Sequence, residues 1–310
     1  MSQREQLDLF ASQAKPNATV LEDLTQMQAL LQRWVERRWL RALDAQLPQT
    51  LHQLSAEPNP LIWLLCALLC HQYGRGHSCI LLSDLVDDPD GLLSLPPQNQ
   101  FLQRFSDRPS AILRGLTLQH YQQALAQSRW LVHDASSAAP LVLSDNRLYL
   151  HRLYQAEQLV KQQLDSRVAA QLPLAPGVAE KLDQLFTPAP GAGIDWQKLA
   201  CAMALQRRFA IITGGPGTGK TTTVVKLLAL LQYGTGLKQR VLNIKLAAPT
   251  GKAAVRLTES ISGALSRLPA ELTAAIPTEV TTLHRLLGAL PNRRSFKHHA
   301  QNPLQLDVLV

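Results

Sequence analysis

Eight consecutive residues, Gly214-Gly215-Pro216-Gly217-Thr218-Gly219-Lys220-Thr221, constrain the fold of this chain more tightly than anything else in it. They follow an apolar run with strand character, Phe209 to Thr213, and precede a helical one, Thr221 to Gln232, so the glycine-rich stretch must turn a strand into a helix. Glycine lets the backbone curl until successive N–H groups point inward, and the following helix adds the positive end of its dipole. The product is a cradle for a phosphate chain. In this pattern Gly214, Gly215, Pro216, Gly217, Thr218 and Gly219 line the cradle, and Lys220 reaches the β- and γ-phosphate oxygens. The Thr221 hydroxyl ligates Mg²⁺ and Thr222 adds a phosphate contact, with Lys220 and Thr221 as the catalytic pair. An ordinary glycine turn explains the spelling alone, but not the agreement of strand, loop, Lys-Thr and helix.

Beyond the loop, Val241 to Ala248 has strand character, Ala253 to Leu268 helical character, and Leu306 to Val310 strand character again. That alternation is what a parallel α/β sheet produces. Ahead of the loop, the first 130 residues read as helical. Leu21 to Leu47 is periodic, with Trp34, Val35, Trp39 and Leu43 available for one face, and Pro60 to Gln72 is a short buried helix ended by Gly74 and Gly76. A turn-rich stretch, Pro89 to Pro97, precedes another helical one from Ala111 to Val132. From Pro140 the pattern becomes Leu-Val-Leu, Ser-Asp-Asn, Arg-Leu-Tyr-Leu, an alternating hairpin around a tight turn. Helical sequence resumes from Tyr154 to Phe186, and Thr187 to Gly193, with two prolines and two glycines, is the linker.

Charge divides the chain in the same place. Residues 197 to 310 hold 15 Lys or Arg against 4 Asp or Glu, whereas residues 1 to 196 hold 16 against 19. A basic half joined to a nearly neutral one suggests that the first meets a polyanion and the second meets protein; a solvated basic face is the alternative. The longest apolar run, Leu61 to Cys70, is well short of the roughly 20 residues that span a bilayer, and Met-Ser-Gln-Arg is no signal-peptide start. A soluble, cytoplasmic protein with no membrane partner is therefore expected. Four cysteines in 310 residues form no disulfide framework. Cys66, Cys70 and Cys79 sit near His71 and His77, but the spacing matches no standard metal signature, and small apolar core residues are the competing reading.

Three further segments carry chemistry. Gln197 lies about one helix ahead of the loop, where its carboxamide can both donate to and accept from an adenine edge, or can simply face solvent. Ala248-Pro249-Thr250-Gly251-Lys252 ends a strand and opens a helix at the sheet edge where ligands bind, so Thr250 and Lys252 suit a phosphate of single-stranded nucleic acid; a plain turn with a surface lysine also accounts for it. In Thr281 to Gly288, Thr282, His284 and Arg285 can grip backbone while the leucines pack. Arg293, Arg294, Lys297, His298 and His299 follow in a stretch of little periodicity, either a track for a phosphodiester chain or a solvated loop.

Taken together, GGPGTGKTTT, LAAPTGKAAVRLTES and TTLHRLLG resemble superfamily 1 helicases of the RecD type, and ALLCHQYGRGHSCILLSDL and DNRLYLHRLYQAEQLV resemble that family's N-terminal region. The resemblance implies ATP and Mg²⁺ as cofactors, with Gln197 reading adenine, Gly214 to Thr221 as motif I, Thr250 and Lys252 as motif Ia, and Thr282 to Arg285 as the next DNA-contacting segment. It implies ATP-driven 5′ to 3′ movement on single-stranded DNA, loading at duplex ends, and assembly with RecB-type and RecC-type subunits for double-strand break repair. Nuclease chemistry belongs to the RecB-type partner. The expected fold class is α/β, a helical N-terminal domain with a small β-hairpin followed by a truncated RecA-like P-loop parallel-sheet domain. The expected boundaries are 1–130 (helical, docking on the RecC-type partner), 131–186 (hairpin and helical connector), 187–194 (linker) and 195–310 (RecA-like).

The family also uses an acidic pair that binds Mg²⁺ and activates water, and Leu306 to Val310 reads as the strand leading into it. Asp307 stands at the start of that strand, the wrong end to substitute. With Lys220 and Thr221 but neither that pair nor the second RecA-like domain, the 310-residue chain is expected to hydrolyse ATP very slowly on its own. Two other classes stay open: a non-catalytic module docking on a RecC-type partner, and another P-loop ATPase such as a ring-forming one.

Overall fold

The apolar run Leu61 to Cys70 becomes the middle of a helix buried on every side. It belongs to a computed structural model that describes residues 18–100, 106–132, 139–186, 193–236, 240–293 and 295–310. The chain forms two compact units, Met1–Val160 and Lys161–Val310.

In the first unit, α1 (Leu24–Glu36) starts at Asp23, whose carboxylate accepts from Thr25 N at 2.7 Å. Next come α2 (Ala42–Leu54) and the buried α3 (Pro60–Gly74), which Asn59 caps and Pro60 opens. The single periodic stretch expected over Leu21 to Leu47 is therefore broken, and the reason is local. At the end of α1, Trp39 N donates to Trp34 O (2.8 Å) and Arg38 N to Val35 O (2.9 Å), the paired bonds of a Schellman motif, while the Trp34 and Trp39 rings meet at 5.9 Å. Arg38 takes the left-handed conformation this requires (φ 59), a position suited to glycine and costing an L side chain on the order of 1 kcal/mol. The break resets the helical phase. Val35 is only half-buried, Leu43 is 62% exposed, and Asp44 is buried in its place.

The expected helix over Ala111 to Val132 is likewise divided, into α6 (Pro109–Ile112) and α7 (Leu118–Gln127), because Gly115 turns the chain at φ 79 and Thr117 caps a new start. Before them comes α4 (Leu82–Asp87), and α5 (Pro89–Leu93) occupies the first half of the turn-rich stretch. The hairpin is present as β2 (Leu141–Ser144) and β3 (Arg147–Leu150), with Asp145 and Asn146 both at positive φ, as a two-residue turn of this kind demands. With β1 (Cys79–Leu81) it forms an antiparallel sheet in the order β1-β3-β2, pairing Ile80 with Leu148 and Leu143 with Leu148 across the two ladders. Ile80, Leu141 and Leu148 join the helices in one apolar core.

The second unit contains α9 (Val178–Leu185), α10 (Trp196–Leu205), α11 (Lys220–Gly236), β4 (Ile244–Ala248), α12 (Gly251–Leu265), α13 (Ala270–Thr273), β5 (Val280–Thr282), α14 (Leu283–Leu287) and β6 (Val308–Leu309). Its sheet is parallel, in the order β5-β4-β6, with Ala248 opposite Thr282 and Ile244 opposite Val308. Ile244 and Leu246 pack with Val225 and Leu228 of α11 and Ile261 of α12. One expected strand is absent. Phe209 to Thr213 pairs with no described strand and leaves Ile211 77% exposed; local strand propensity makes no strand without a partner ladder.

The division between the units falls inside α8 (His151–Ala169), which buries no residue. The expected connector 131–186 is accordingly shared: the hairpin packs into the first core and α9 into a cluster with α10 and α11. Most of the expected linker, residues 187–192, lies outside the described residues.

Candidate nucleotide and nucleic-acid site

The loop ahead of α11 is held open by two glycines in the left-handed region, Gly217 (φ 76) and Gly219 (φ 78). Thr218 Oγ1 donates to Gly215 O (2.9 Å), and Thr223 Oγ1 donates to Gly219 O (3.0 Å), fixing loop to helix. Among the described residues, none of the backbone N–H groups from Gly214 to Thr222 has an acceptor. Gathered at the positive end of a 17-residue helix, these amides are an anion site in the making. The Lys220 ammonium folds back over them, donating to Gly214 O (2.8 Å) and Gly215 O (2.6 Å). Thr221 Oγ1 has no partner among the described residues.

Gln197 joins this loop directly. Asp195 caps α10 by accepting from Gln197 N and Lys198 N, both at 3.0 Å, which sets the first turn so that Gln197 Nε2 donates to Thr218 O at 3.0 Å. A Cβ on Gly219 would sit 2.6 Å from that amide nitrogen and push the Gln197 side chain off the loop, while the left-handed φ of 78 is what favours glycine there. Sequence reasoning missed two supports: Asp195 as the cap, and Lys226, which donates to Leu185 O (2.7 Å) and lies 3.9 Å from the Phe186 ring centre. Their signal was an Asp two residues before Gln197 and a lysine six residues after Lys220 in α11, each readable only with its partner known. Cys201 lies behind α11, donating to Thr223 O; burial pushes its thiol up to about 12.

A second group gathers at the C-terminal edge of the parallel sheet. Thr250 follows β4 and caps α12, accepting from Ala253 N at 3.2 Å; Thr282 ends β5 and caps α14, accepting from Arg285 N at 3.3 Å. Because Ala248 pairs with Thr282, the two helix starts are neighbours, with Lys252 and Arg285 exposed in their first turns. Both threonine hydroxyls keep a proton to donate. His284 packs against Phe296, ring centres 5.9 Å apart.

The basic stretch that follows is more ordered than its lack of periodicity suggests. Gly288 (φ 68) reverses the chain, Lys297 N donates to Gly288 O (2.8 Å) and His298 N to Leu287 O (3.0 Å), so Ala289 and Phe296 face each other across a small hairpin. Arg293 stands near its tip with Lys297, His298 and His299 further down, and Arg294 lies outside the described residues. Asp307 sits at the opposite edge of the sheet, pairing with Arg240 and accepting from Asn243 N at 2.9 Å, where it braces β6 against the start of β4. Cys66, Cys70 and Cys79 stay in the first unit: Cys66 is buried within α3, Cys70 is raised to about 11 by burial, and His71 holds Leu93 O. Among the described residues no group of three His, Cys, Asp or Glu is placed to hold a metal. No described helix is long and apolar enough to cross a membrane.

An unpaired amide nest at a helix head, a lysine over it and a parallel α/β sheet beside it define a P-loop nucleotide-binding protein. Comparison with known families agrees on both parts of the chain: residues 36–149 match "RecBCD enzyme subunit RecD, N-terminal domain" and residues 197–310 match "AAA domain". A RecBCD enzyme subunit RecD from Haemophilus influenzae is 36% identical over 271 residues, 84% of this chain and 41% of the relative. Another from Mycolicibacterium smegmatis is 35% identical over 277 residues, 87% of this chain and 44% of the relative. An ATP-dependent RecD2 DNA helicase from Deinococcus radiodurans is 31% identical over 176 residues, 56% of this chain and 21% of the relative. The chain belongs to the RecD family, and it spans less than half the length of these relatives.

Proposed function

We propose that the chain supplies the nucleotide-binding and first DNA-contacting parts of an ATP-dependent 5′ to 3′ DNA helicase subunit, working in the cytoplasm within a RecBCD-type recombination and repair complex. The observation that carries this reading is the row of unpaired amides from Gly214 to Thr222 beneath the Lys220 ammonium. Five non-proline loop amides and the helix head fit a polyphosphate, and the left-handed glycines leave no Cβ over them. In this reading Lys220 exchanges its two carbonyl partners for β- and γ-phosphate oxygens, and Thr221 Oγ1 ligates the Mg²⁺ that accompanies ATP. Bound Mg²⁺ would neutralise phosphate charge. Gln197 reads the adenine edge, having only one bond to Thr218 O to give up. Thr222 adds a phosphate contact.

Thr250, Lys252, Thr282, His284 and Arg285 hold successive phosphates of a single strand at the sheet edge, and the basic hairpin extends that track. The names of the relatives support RecB-type and RecC-type subunits as partners, and the match over residues 36–149 supports the first unit as the part that docks. Titrating the chain with a fluorescent ATP analogue and Mg²⁺ tests the central claim. Lys220→Gln should weaken binding at least about tenfold, since charge-assisted hydrogen bonds to phosphate are lost, with the melting temperature unchanged. Equal affinity in the variant would remove the basis of the reading.

A further inference from the structure

We propose that Thr223 is a positioning residue for base selection: it locks α10, which carries Gln197, to α11, which carries the phosphate loop, and so sets where Gln197 meets a nucleobase. The inference rests on the reading of Gln197 as the adenine contact. Thr223 is the last of three consecutive threonines after Lys220, and it is 1% exposed whereas Thr221 and Thr222 are half-buried. A buried hydroxyl needs a partner. Thr223 Oγ1 finds one in the loop, donating to Gly219 O at 3.0 Å beside the backbone bond from Thr223 N to the same oxygen (2.9 Å). The Thr223 carbonyl in turn accepts from Cys201 Sγ at 3.3 Å, a thiol buried in α10.

Threonine hydroxyls in helices often bond four residues back, and that alone assigns no role. The two ends of this chain of bonds do. Cys201 stands four residues after Gln197, so both side chains meet the neighbouring helix and its loop from one side of α10. Gln197 Nε2 donates to Thr218 O (3.0 Å), one residue before Gly219. The contacts close a ring: Gln197 to Thr218, along the chain to Gly219, to Thr223, to Cys201, and one helical turn back to Gln197. Other polar contacts of α10 lead away from α11. Lys198 meets Asp183 of α9 at 2.8 Å, at the surface where an ion pair contributes little, and Gln206 O, at the end of α10, accepts from Leu172 N (2.9 Å). On the outer side of α10, Trp196, Leu199 and Met203 are exposed. Cys201 and Leu205 share an apolar cluster with Leu182 and Leu230, but such burial is non-directional and tolerates a small slide. A hydrogen bond does not, since it weakens within a fraction of an ångström beyond about 3.2 Å. The directional bonds through Thr223 therefore fix the register of α10 on α11.

The test measures dissociation constants of the 310-residue chain for fluorescent ATP and GTP analogues with Mg²⁺, with tripolyphosphate as a competitor that has no base, alongside thermal melting. Thr223→Val stays close in shape and removes the hydroxyl. It should bring the two analogues within about twofold of each other, the loss of a neutral hydrogen bond's discrimination. Tripolyphosphate affinity should stay within about twofold of the parent's, because Thr223 N still holds Gly219 O. Thr223→Ser should restore the preference for ATP. Cys201→Ala should narrow it, and the double variant should be no less selective than Thr223→Val alone, since a ring is broken only once. A lower melting temperature with the ATP preference intact would make Thr223 structural only and overturn the proposal. So would an equal loss of tripolyphosphate binding, or additive losses from the Cys201 and Thr223 variants. If the parent does not discriminate, or Gln197→Ala keeps its preference, the reading of Gln197 fails and the proposal with it. If Gln197→Ala loses the preference and Thr223→Val does not, the proposal falls alone.

Discussion

Gln197 shows how one side chain can be committed before any ligand arrives. Its amide nitrogen is 3.0 Å from Thr218 O, so part of its hydrogen-bonding capacity already serves the loop. If the remaining capacity reads a base edge, removing it should cost discrimination more than affinity: Gln197→Ala is expected to bring the dissociation constants for ATP and GTP analogues within about twofold of each other, the loss of one or two neutral hydrogen bonds. Competition titrations measure this, and a variant that still prefers ATP as the parent does would place base recognition elsewhere. Lys220, Thr221 and the loop glycines were legible from the sequence because their chemistry depends only on neighbours along the chain. Asp195 as a cap and Lys226 on the Phe186 ring were not, because each acquires meaning only through a residue that folding delivers.

Elements were legible to the extent that their causes are local. The hairpin at Ser144 to Arg147 follows from two residues that tolerate positive φ, and α3 from an asparagine, a proline and an unbroken apolar run. Phe209 to Thr213 has every local mark of a strand and lacks only the ladder that neighbours supply. The helix break at Arg37 to Arg41 was hidden for the opposite reason, an arginine standing where glycine would have announced the turn. The basic hairpin after Gly288 depends on backbone bonds, which hydropathy does not report. At the sheet edge, Lys252 occupies the first turn of α12 while Thr250 caps it, so replacing the lysine leaves the cap intact. Lys252→Ala should reduce the salt slope of oligothymidylate binding by roughly one phosphate contact, about 0.7 in log–log units. A parallel, merely shifted salt plot would show that Lys252 meets no phosphate.

Among the described residues, two buried carboxylates of the first unit are held by arginines. Burial works to raise Asp44 and Asp107, yet Arg41 holds the first and Arg37 and Arg33 the second below the usual carboxylate range. A lowered folded pKa adds stability that is fully present above about 3.8 and disappears as pH falls through the still lower folded value. Four of the five tryptophans, Trp34, Trp39, Trp63 and Trp130, are buried in that same unit, and Trp196 is exposed in the other. Tryptophan emission should therefore shift red below pH 4 with a midpoint that the Asp107→Asn variant moves, while binding of the ATP analogue reports the second unit. Coincident transitions by both probes would mean that the units unfold as one. The helix α8 bears on how such halves could ever be obtained. None of its nineteen residues is fully buried, and helical pieces shorter than about twelve residues are marginal in water unless packing holds them. Cutting at Val160 would leave the second product starting with a nine-residue, almost wholly exposed stub, whereas the first keeps Leu153 on its core and Glu157 on Tyr149, so a gene divided there yields one protein that begins in melted chain.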